Sequence, residues 1–502
     1  LDNYLLILPV IVPLISAVVL MFFRKFRIFS RTFNLLGSLF LLISAVLIFL
    51  FVDKEGIQTL YIGGWKAPFG ISFVADTFSA IMLVIAGIMT SSASVYFFAM
   101  VDKERENAGF YIFYQTMVMG VCGAFLTGDI FNLYVWFEVM LMSSFVLLVL
   151  GSEKKQIEGA VKYVAINLIS SVIFLSATGM LYGLTGTLNM ADLSLKISAS
   201  KDTALITAVS MMFLVSFGIK SATFPLFFWL PASYHTPPVA VTAIFSALLT
   251  KTGVYSMIRV FTLVFRQDMT FSLTVILILA GLTMVTGVLG AAAQMDFRRI
   301  LSFHIISQIG YLLMGLGILT EYSLTGSVFF MVHIIITKTI LFLVSGIVYV
   351  AYGTYDLTKV GSVYKWFPFI SLLFLLSAGS LAGIPPFSGF WAKFFLIKAG
   401  FSADFYVISS VGLFVSILTL YSMLKIWNEV FWADTDCKFE AVSDNLKSKS
   451  KGFKFSLYFP VIFLLIIMLA ISFYPEPVYY YAEKAGKELM NYTNYINAVL
   501  RK

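Results

Sequence analysis

Runs of apolar residues, each about 18–25 long, recur along the whole chain and are separated by mostly short polar connections. They fall at 4–23, 32–52, 73–100, 109–128, 131–150, 159–184, 203–229, 239–263, 271–292, 299–319, 324–350, 367–398, 403–427 and 454–475. Each matches a hydrocarbon core roughly 30 Å thick, which a helix crosses in about 20 residues. The short alternating segments of a membrane β-barrel are absent. The pattern predicts an all-α polytopic membrane protein of about fourteen transmembrane helices. The run at 4–23 is too long for the apolar part of a signal peptide and no small-residue cleavage site follows it, so it reads as the first span. Longer connections lie at 53–71, 185–202 and 428–452, and the tail from 474 to 502 is amphipathic.

Composition agrees with that solvent. Hydrophobic residues make up 60% of the 502 and charged residues 12%, too little polar surface to cover the chain in water. The net charge of +8 reads as loop charge that sets orientation at a membrane, not as a nucleic-acid surface. About sixteen Lys and Arg lie on the side of the first connection (Arg24, Lys25, Arg27, Arg31), against about nine opposite, which puts both termini outside. Cys122 and Cys437 lie far apart, so neither a disulfide framework nor a cysteine metal site is expected. There is no GxxxxGK[ST], no HExxH and no Ser/His/Asp set, so ATP-driven pumping and hydrolysis are disfavoured and no cofactor or metal is expected.

Two spans are interrupted alike. The seventh contains Gly218-Ile-Lys-Ser-Ala-Thr-Phe-Pro225 and the twelfth Gly383-Ile-Pro-Pro-Phe-Ser-Gly389. Proline removes a backbone donor and clashes with the preceding turn, so both helices should break at membrane depth. Corresponding breaks in two halves point to a transport pathway, although proline kinks are also common in membrane helices. Breaks five helices apart suggest that spans 4–8 and 9–13 are repeats, the second inverted because five is odd. The chain then divides into 1–108, 109–263, 264–427 and 428–502. The registers differ, because Lys220 precedes its break and Lys393 follows its own.

Ionisable residues inside the spans are the candidate chemistry. Glu138, Lys220, Lys251, Lys338 and Lys393 all sit deep in apolar runs, where each charge facing lipid would cost about 2.5–3.5 kcal/mol. They should face the bundle interior. A structural ion pair would account for Glu138 with Lys220 but not for three more lysines. A proton relay through water and hydroxyls such as Ser221, Thr250 and Thr252 would account for all five. His333 and His304 could join it or be packed interior side chains, and His235 falls in a loop. Asp76, Asp129, Lys162, Arg259 and Lys398 lie near span ends, where capping or snorkelling is the default.

Four strings carry a resemblance: Gly128-Asp-Ile-Phe-Asn-Leu-Tyr-Val-Trp-Phe-Glu-Val-Met-Leu, Phe217-Gly-Ile-Lys-Ser-Ala-Thr-Phe-Pro-Leu, Trp229-Leu-Pro-Ala-Ser-Tyr-His-Thr-Pro-Pro-Val-Ala-Val and Gly383-Ile-Pro-Pro-Phe-Ser-Gly-Phe-Trp-Ala-Lys. They closely resemble the MrpD family of the bacterial Mrp cation/proton antiporters, which is related to the antiporter-like subunits of respiratory NADH dehydrogenase. The resemblance implies two inverted five-helix repeats with broken helices 7 and 12. It implies Glu138 and Lys220 as the charged pair, Lys251 as the connecting lysine and Lys393 as the terminal lysine of the second half-channel. Lys338 matches an eleventh-helix lysine with a less uniform assignment. It further implies a bacterial inner-membrane complex with other Mrp subunits that exchanges external protons for internal Na+ or K+. The alternative is a proton-pumping membrane subunit of a redox-driven NADH dehydrogenase or hydrogenase complex.

Overall fold

The computed structural model describes residues 4–267, 269–434, 446 and 448–501, so Cys437 lies outside the described residues. Among these residues, twelve helices are long and apolar enough to cross a membrane. In chain order we label α1 (Leu8–Phe23), α2 (Arg27–Glu55), α3 (Thr77–Met100), α4 (Phe110–Leu126), α5 (Ile130–Val149), α6 (Lys154–Thr185), α7 (Thr203–Ser221), α8 (Val239–Leu263), α9 (Met269–Ala293), α10 (Phe297–Ile318), α11 (Glu321–Tyr352), α12a (Pro368–Ala382), α12b (Ser388–Ser402), α13 (Tyr406–Ile426) and α14 (Lys451–Phe473). Of these, α4 and α12a are apolar but shorter, and α12b completes the span that α12a begins. The tail folds into two amphipathic helices, α15 (Glu476–Met490) and α16 (Tyr492–Leu500).

Beside the helices the fold carries one small two-stranded sheet. Gln58–Tyr61 (β1) pairs antiparallel with Ser72–Ala75 (β2), with Gln58 opposite Ala75 and Tyr61 opposite Ser72. Aromatic and β-branched residues in both segments suit a strand, and the pairing satisfies backbone groups next to the start of α3. The predicted third span therefore begins at Thr77 rather than at 73.

Burial separates centre from rim. The most apolar window of α8 is 100% buried, that of α10 94% and that of α11 89%, against 39% for α1, α2, α6, α9 and α13. The central helices are also the ones that carry Lys251, His304, His333 and Lys338.

Connections gather on two opposite faces. On the tail face, Tyr61 Oη donates to Val499 O (2.7 Å), Thr77 N to Glu488 Oε2 (2.9 Å) and Lys484 pairs with Asp53 (2.8 Å). On the other face, Arg31 pairs with Glu106 (2.6 Å), Arg298 Nη1 donates to Pro237 O (2.7 Å) and Lys365 pairs with Asp434 (3.2 Å). Besides the Phe73–Thr127 bridge on the tail face, each face holds a short antiparallel bridge built in the same way. Asp129 caps α5 and bridges Asn189, with Ile130 N donating to Leu188 O (2.9 Å) and Met190 N to Gly128 O (2.8 Å). Asp296 caps α10 and bridges Asp356, with Phe297 N donating to Tyr355 O (2.9 Å) and Leu357 N to Met295 O (3.0 Å).

Glycine lets the backbones of α9 and α10 approach closely. A Cβ at Gly287 of α9 would stand 2.4 Å from the Ser307 backbone N of α10, and one at Gly310 of α10 would stand 2.7 Å from Ala280 O of α9. Gly287→Ala should therefore destabilise the detergent-solubilised protein by about 1–3 kcal/mol through overpacking. At Gly179 of α6 a Cβ meets nothing within 4 Å, so Gly179→Ala should gain about 0.5–1 kcal/mol of helix propensity. Thermal aggregation midpoints followed by size exclusion check both, and equal midpoints for the two variants would refute the interlock.

Candidate functional site

The two interrupted spans break by the same geometry. Helix α7 ends where Ala222 turns left-handed (φ 61°) and Thr223 N returns to Gly218 O (2.9 Å). Helix α12a ends at left-handed Gly383 (φ 88°), and Ile384 N returns to Gly379 O (3.1 Å). A cis X-Pro bond follows in each, Phe224-Pro225 and Pro385-Pro386. The last carbonyls of each first half lose their intrahelical donors, and the negative end of the helix dipole points into the break.

The lysines use those ends. Lys393 begins after its break in sequence, yet Nζ folds back to donate to Ala382 O (2.9 Å) and to Ser416 Oγ (3.0 Å), and Ser416 itself donates to Ala382 O (2.8 Å). Lys220 occupies the last turn of α7. The Lys393 ammonium and the Lys220 residue thus both belong to the C-terminal end of a first half-helix, which narrows the register difference noted in the sequence.

Glu138 and Lys220 do come together, but not by direct contact. Lys220 Nζ donates to Ser171 Oγ of α6 (3.2 Å), and Ser171 Oγ donates to Glu138 Oε1. The ring of Phe137 covers Lys220 Nζ at 5.0 Å. Of the hydroxyls named from sequence as relay members, Ser221 donates to Phe217 O (2.7 Å) and Thr252 to Leu248 O (3.1 Å), each within its own helix, and among the described residues Thr250 Oγ1 has no partner. Helices α6 and α11 are each 32 residues long, and the eighteenth residue is Ser171 in one and Lys338 in the other.

Lys251 donates to Ser246 O (2.6 Å), a carbonyl inside the π turn Phe245–Leu249 of α8. A π turn releases carbonyls from the regular ladder, so it supplies an acceptor where a straight helix would not. Helix α11 packs against this turn. Lys338 of α11 donates to Leu301 O of α10 (2.9 Å). Lys220, Lys251, Lys338 and Lys393 are 4%, 1%, 0% and 4% exposed, and among the described residues none of the four makes an ion pair.

His333 Nδ1 lies 2.9 Å from Ser388 Oγ and 3.2 Å from Thr337 Oγ1, which turns it toward the break of α12 rather than toward Lys338. Its Nε2 has no partner, nor does His304 Nδ1, while His304 Nε2 meets Ser422 Oγ at 2.6 Å. His235 is in a connection as expected. Its Nδ1 is 2.8 Å from Pro231 O and its Nε2 3.2 Å from Arg299, and burial together with Arg299 holds the imidazole down at about 4.

Asp129 caps its helix as expected, and Lys162 makes a surface pair with Glu158 (2.6 Å). Lys398 is exposed beside the Tyr322 ring. Arg259 departs from the expectation. It does not snorkel but forms a buried pair with Asp76 (2.6 Å), which also caps α3. Sequence reasoning does not single out Ser171, Ser416 or Ser388. A signal for Ser171 exists, since Ser170 and Ser171 are adjacent hydroxyls in the middle of an apolar run.

Residues 127–419, which contain both breaks and all five charged positions, match the family described as NADH:quinone oxidoreductase/Mrp antiporter, TM. Over 499 residues the chain is 43% identical to the D-type Na(+)/H(+) antiporter subunit of Alkalihalophilus pseudofirmus and 40% identical to that of Bacillus subtilis, covering 99% of this chain and 100% of each relative. A chain of the Mrp complex from Dietzia sp. DQ12-45-1b superposes with a TM-score of 0.91 at 32% identity, covering 99% of this chain and 100% of that one. Respiratory complex I from Thermus thermophilus shares the fold, with a TM-score of 0.78 at 20% identity over 97% of this chain and 99% of that one. Full-length identity to two antiporter subunits, added to the matching breaks and buried lysines, shows that this polytopic membrane protein belongs to the MrpD family of Na+/H+ antiporter subunits.

Proposed function

We propose that the chain moves protons through a mid-membrane relay of Glu138, Lys220, Lys251, Lys338 and Lys393, with His333 beside the second break. It does so as one subunit of a bacterial inner-membrane complex that exchanges external protons for internal Na+ or K+. The observation that carries this reading is the Lys220–Ser171–Glu138 connection. A hydroxyl both accepts and donates, so Ser171 can take a proton from Lys220 as it gives its own to Glu138. The pair then passes between a charged and a neutral state. A proton arriving at Glu138 from elsewhere removes the negative charge beside Lys220, and the ammonium, left as a lone buried cation, gains by passing its proton toward Lys251.

The chain would cross the membrane fourteen times, with α4–α8 and α9–α13 as inverted repeats. The matching breaks and the two bridges of like construction on opposite faces support this arrangement. Both termini would then lie outside. A thiol introduced near Arg27 or Arg298 should react from inside and one near Lys487 from outside. Labelling of the Arg27 and Lys487 sites from one side would overturn the topology.

In inverted vesicles the whole complex should collapse a pH gradient on addition of sodium or potassium. Collapse only during quinone turnover would favour the redox-driven alternative. Glu138→Gln and Lys220→Arg should abolish exchange in complexes that assemble normally, because neither substitute can titrate in the working range. Ser171→Ala should lower exchange by about 10²-fold, the scale of a lost proton-transfer group, and Ser171→Thr should restore it. If the pair only holds helices together, Glu138→Gln would strand a buried charge at about 3–5 kcal/mol; yield would then fall while exchange per complex survived.

A further inference from the structure

Lys251, Tyr255 and Arg259 are spaced four residues apart on α8 and so share one face of that helix, which runs from the central lysine to the tail face. Arg259 stands eight residues from Lys251, about 12 Å along the axis. The stripe leads from Lys251 toward α15 and α16, and its members bond to one another and to their neighbours. Tyr255 Oη donates to Phe125 O (2.7 Å), and Arg259 Nη2 reaches Tyr255 Oη at 3.4 Å while pairing with Asp76 Oδ2 at 2.6 Å. The rings of Phe78, Tyr255 and Tyr495 surround the guanidinium at 5.9, 5.6 and 5.3 Å.

From the geometry we infer that Arg259 is a selectivity residue: with Asp76 and a lid formed by Tyr495, it blocks proton passage between Lys251 and the tail face. A proton wire needs members that accept as well as donate. The guanidinium has five donors, no acceptor and a proton it keeps at any working pH, so it interrupts a wire that tyrosine, water or an amide would carry. Stability alone does not explain the pair, because a buried ion pair is often no better than apolar residues of the same size. The tail completes the block. Tyr495 of α16 lies over Arg259, and Glu488 of α15 accepts from Thr77 N (2.9 Å) and Thr77 Oγ1 (2.7 Å) at the helix end that Asp76 caps.

The inference rests on the proton-carrying reading, and its test has a separate readout. The assembled complex in liposomes receives an imposed pH step in choline buffer free of sodium and potassium, with thiocyanate as the permeant balancing ion, and an internal dye reports passive proton flux. The double variant Asp76→Asn/Arg259→Gln removes both charges together, so no buried charge is stranded, and it leaves groups that accept and donate. Passive flux should rise about tenfold or more, equivalent to about 1.4 kcal/mol of barrier. A second pair replacement, Asp76→Ser/Arg259→Gln, should raise it in the same direction and serves if the first double variant fails to assemble. Unchanged flux in an assembled variant overturns the block. Exchange lost through Glu138 or Lys220 variants, with flux unaltered, bears on the relay alone.

Discussion

An ammonium group buried at membrane depth needs oxygen acceptors, and two of the four lysines here take a backbone carbonyl freed by irregular structure. Lys393 takes the carbonyl at the end of α12a, and Lys251 takes one inside a π turn. Lys220 sits in the last turn of α7 and reaches a serine across the groove. A broken helix and a buried cation are each costly in hydrocarbon. Placed together they offset one another, since the break exposes acceptors at the negative end of a dipole and the cation supplies the missing donor. The prolines, the left-handed Ala222 and Gly383, and the π turn therefore belong to one electrostatic arrangement.

That arrangement is polarised by a single carboxylate. Glu138 is the acidic group among the five charged positions, and Ser171 passes its influence to Lys220. At the matching place in α11 stands Lys338, bonded to a carbonyl of α10. In the first half Lys220 is linked through Ser171 to a carboxylate, while Lys251, Lys338 and Lys393 donate to neutral oxygens. A charge shift at Glu138 is felt along such a row because the low-dielectric interior screens it weakly.

Much of this was legible in the sequence. Long apolar runs gave the helices because lipid permits few other structures, and charges inside those runs stood out for the same reason. Proline placed both breaks. Three-dimensional proximity was not legible. Ser171 lies thirty-three residues from Glu138, and a serine in a membrane helix ordinarily bonds to its own backbone, as Ser221 does. Arg259 looked like a snorkelling end residue because its partner Asp76 is contributed by a distant helix. The hairpin of β1 and β2 was hidden because its second strand continues directly into an apolar run.

The glycine-lined contact between α9 and α10 limits how such a machine can move. With backbone atoms this close, neither helix can slide past the other without collision, so this part of the second half behaves as a rigid frame. Rocking-bundle motion, in which one set of helices pivots against another, has no free plane at that contact. In the proposed relay the moving parts would then be the lysine stems themselves, four-carbon arms that exchange one oxygen for another. Turnover of the proposed relay would then depend on how often a charge is favourably placed, not on how fast a domain can swing.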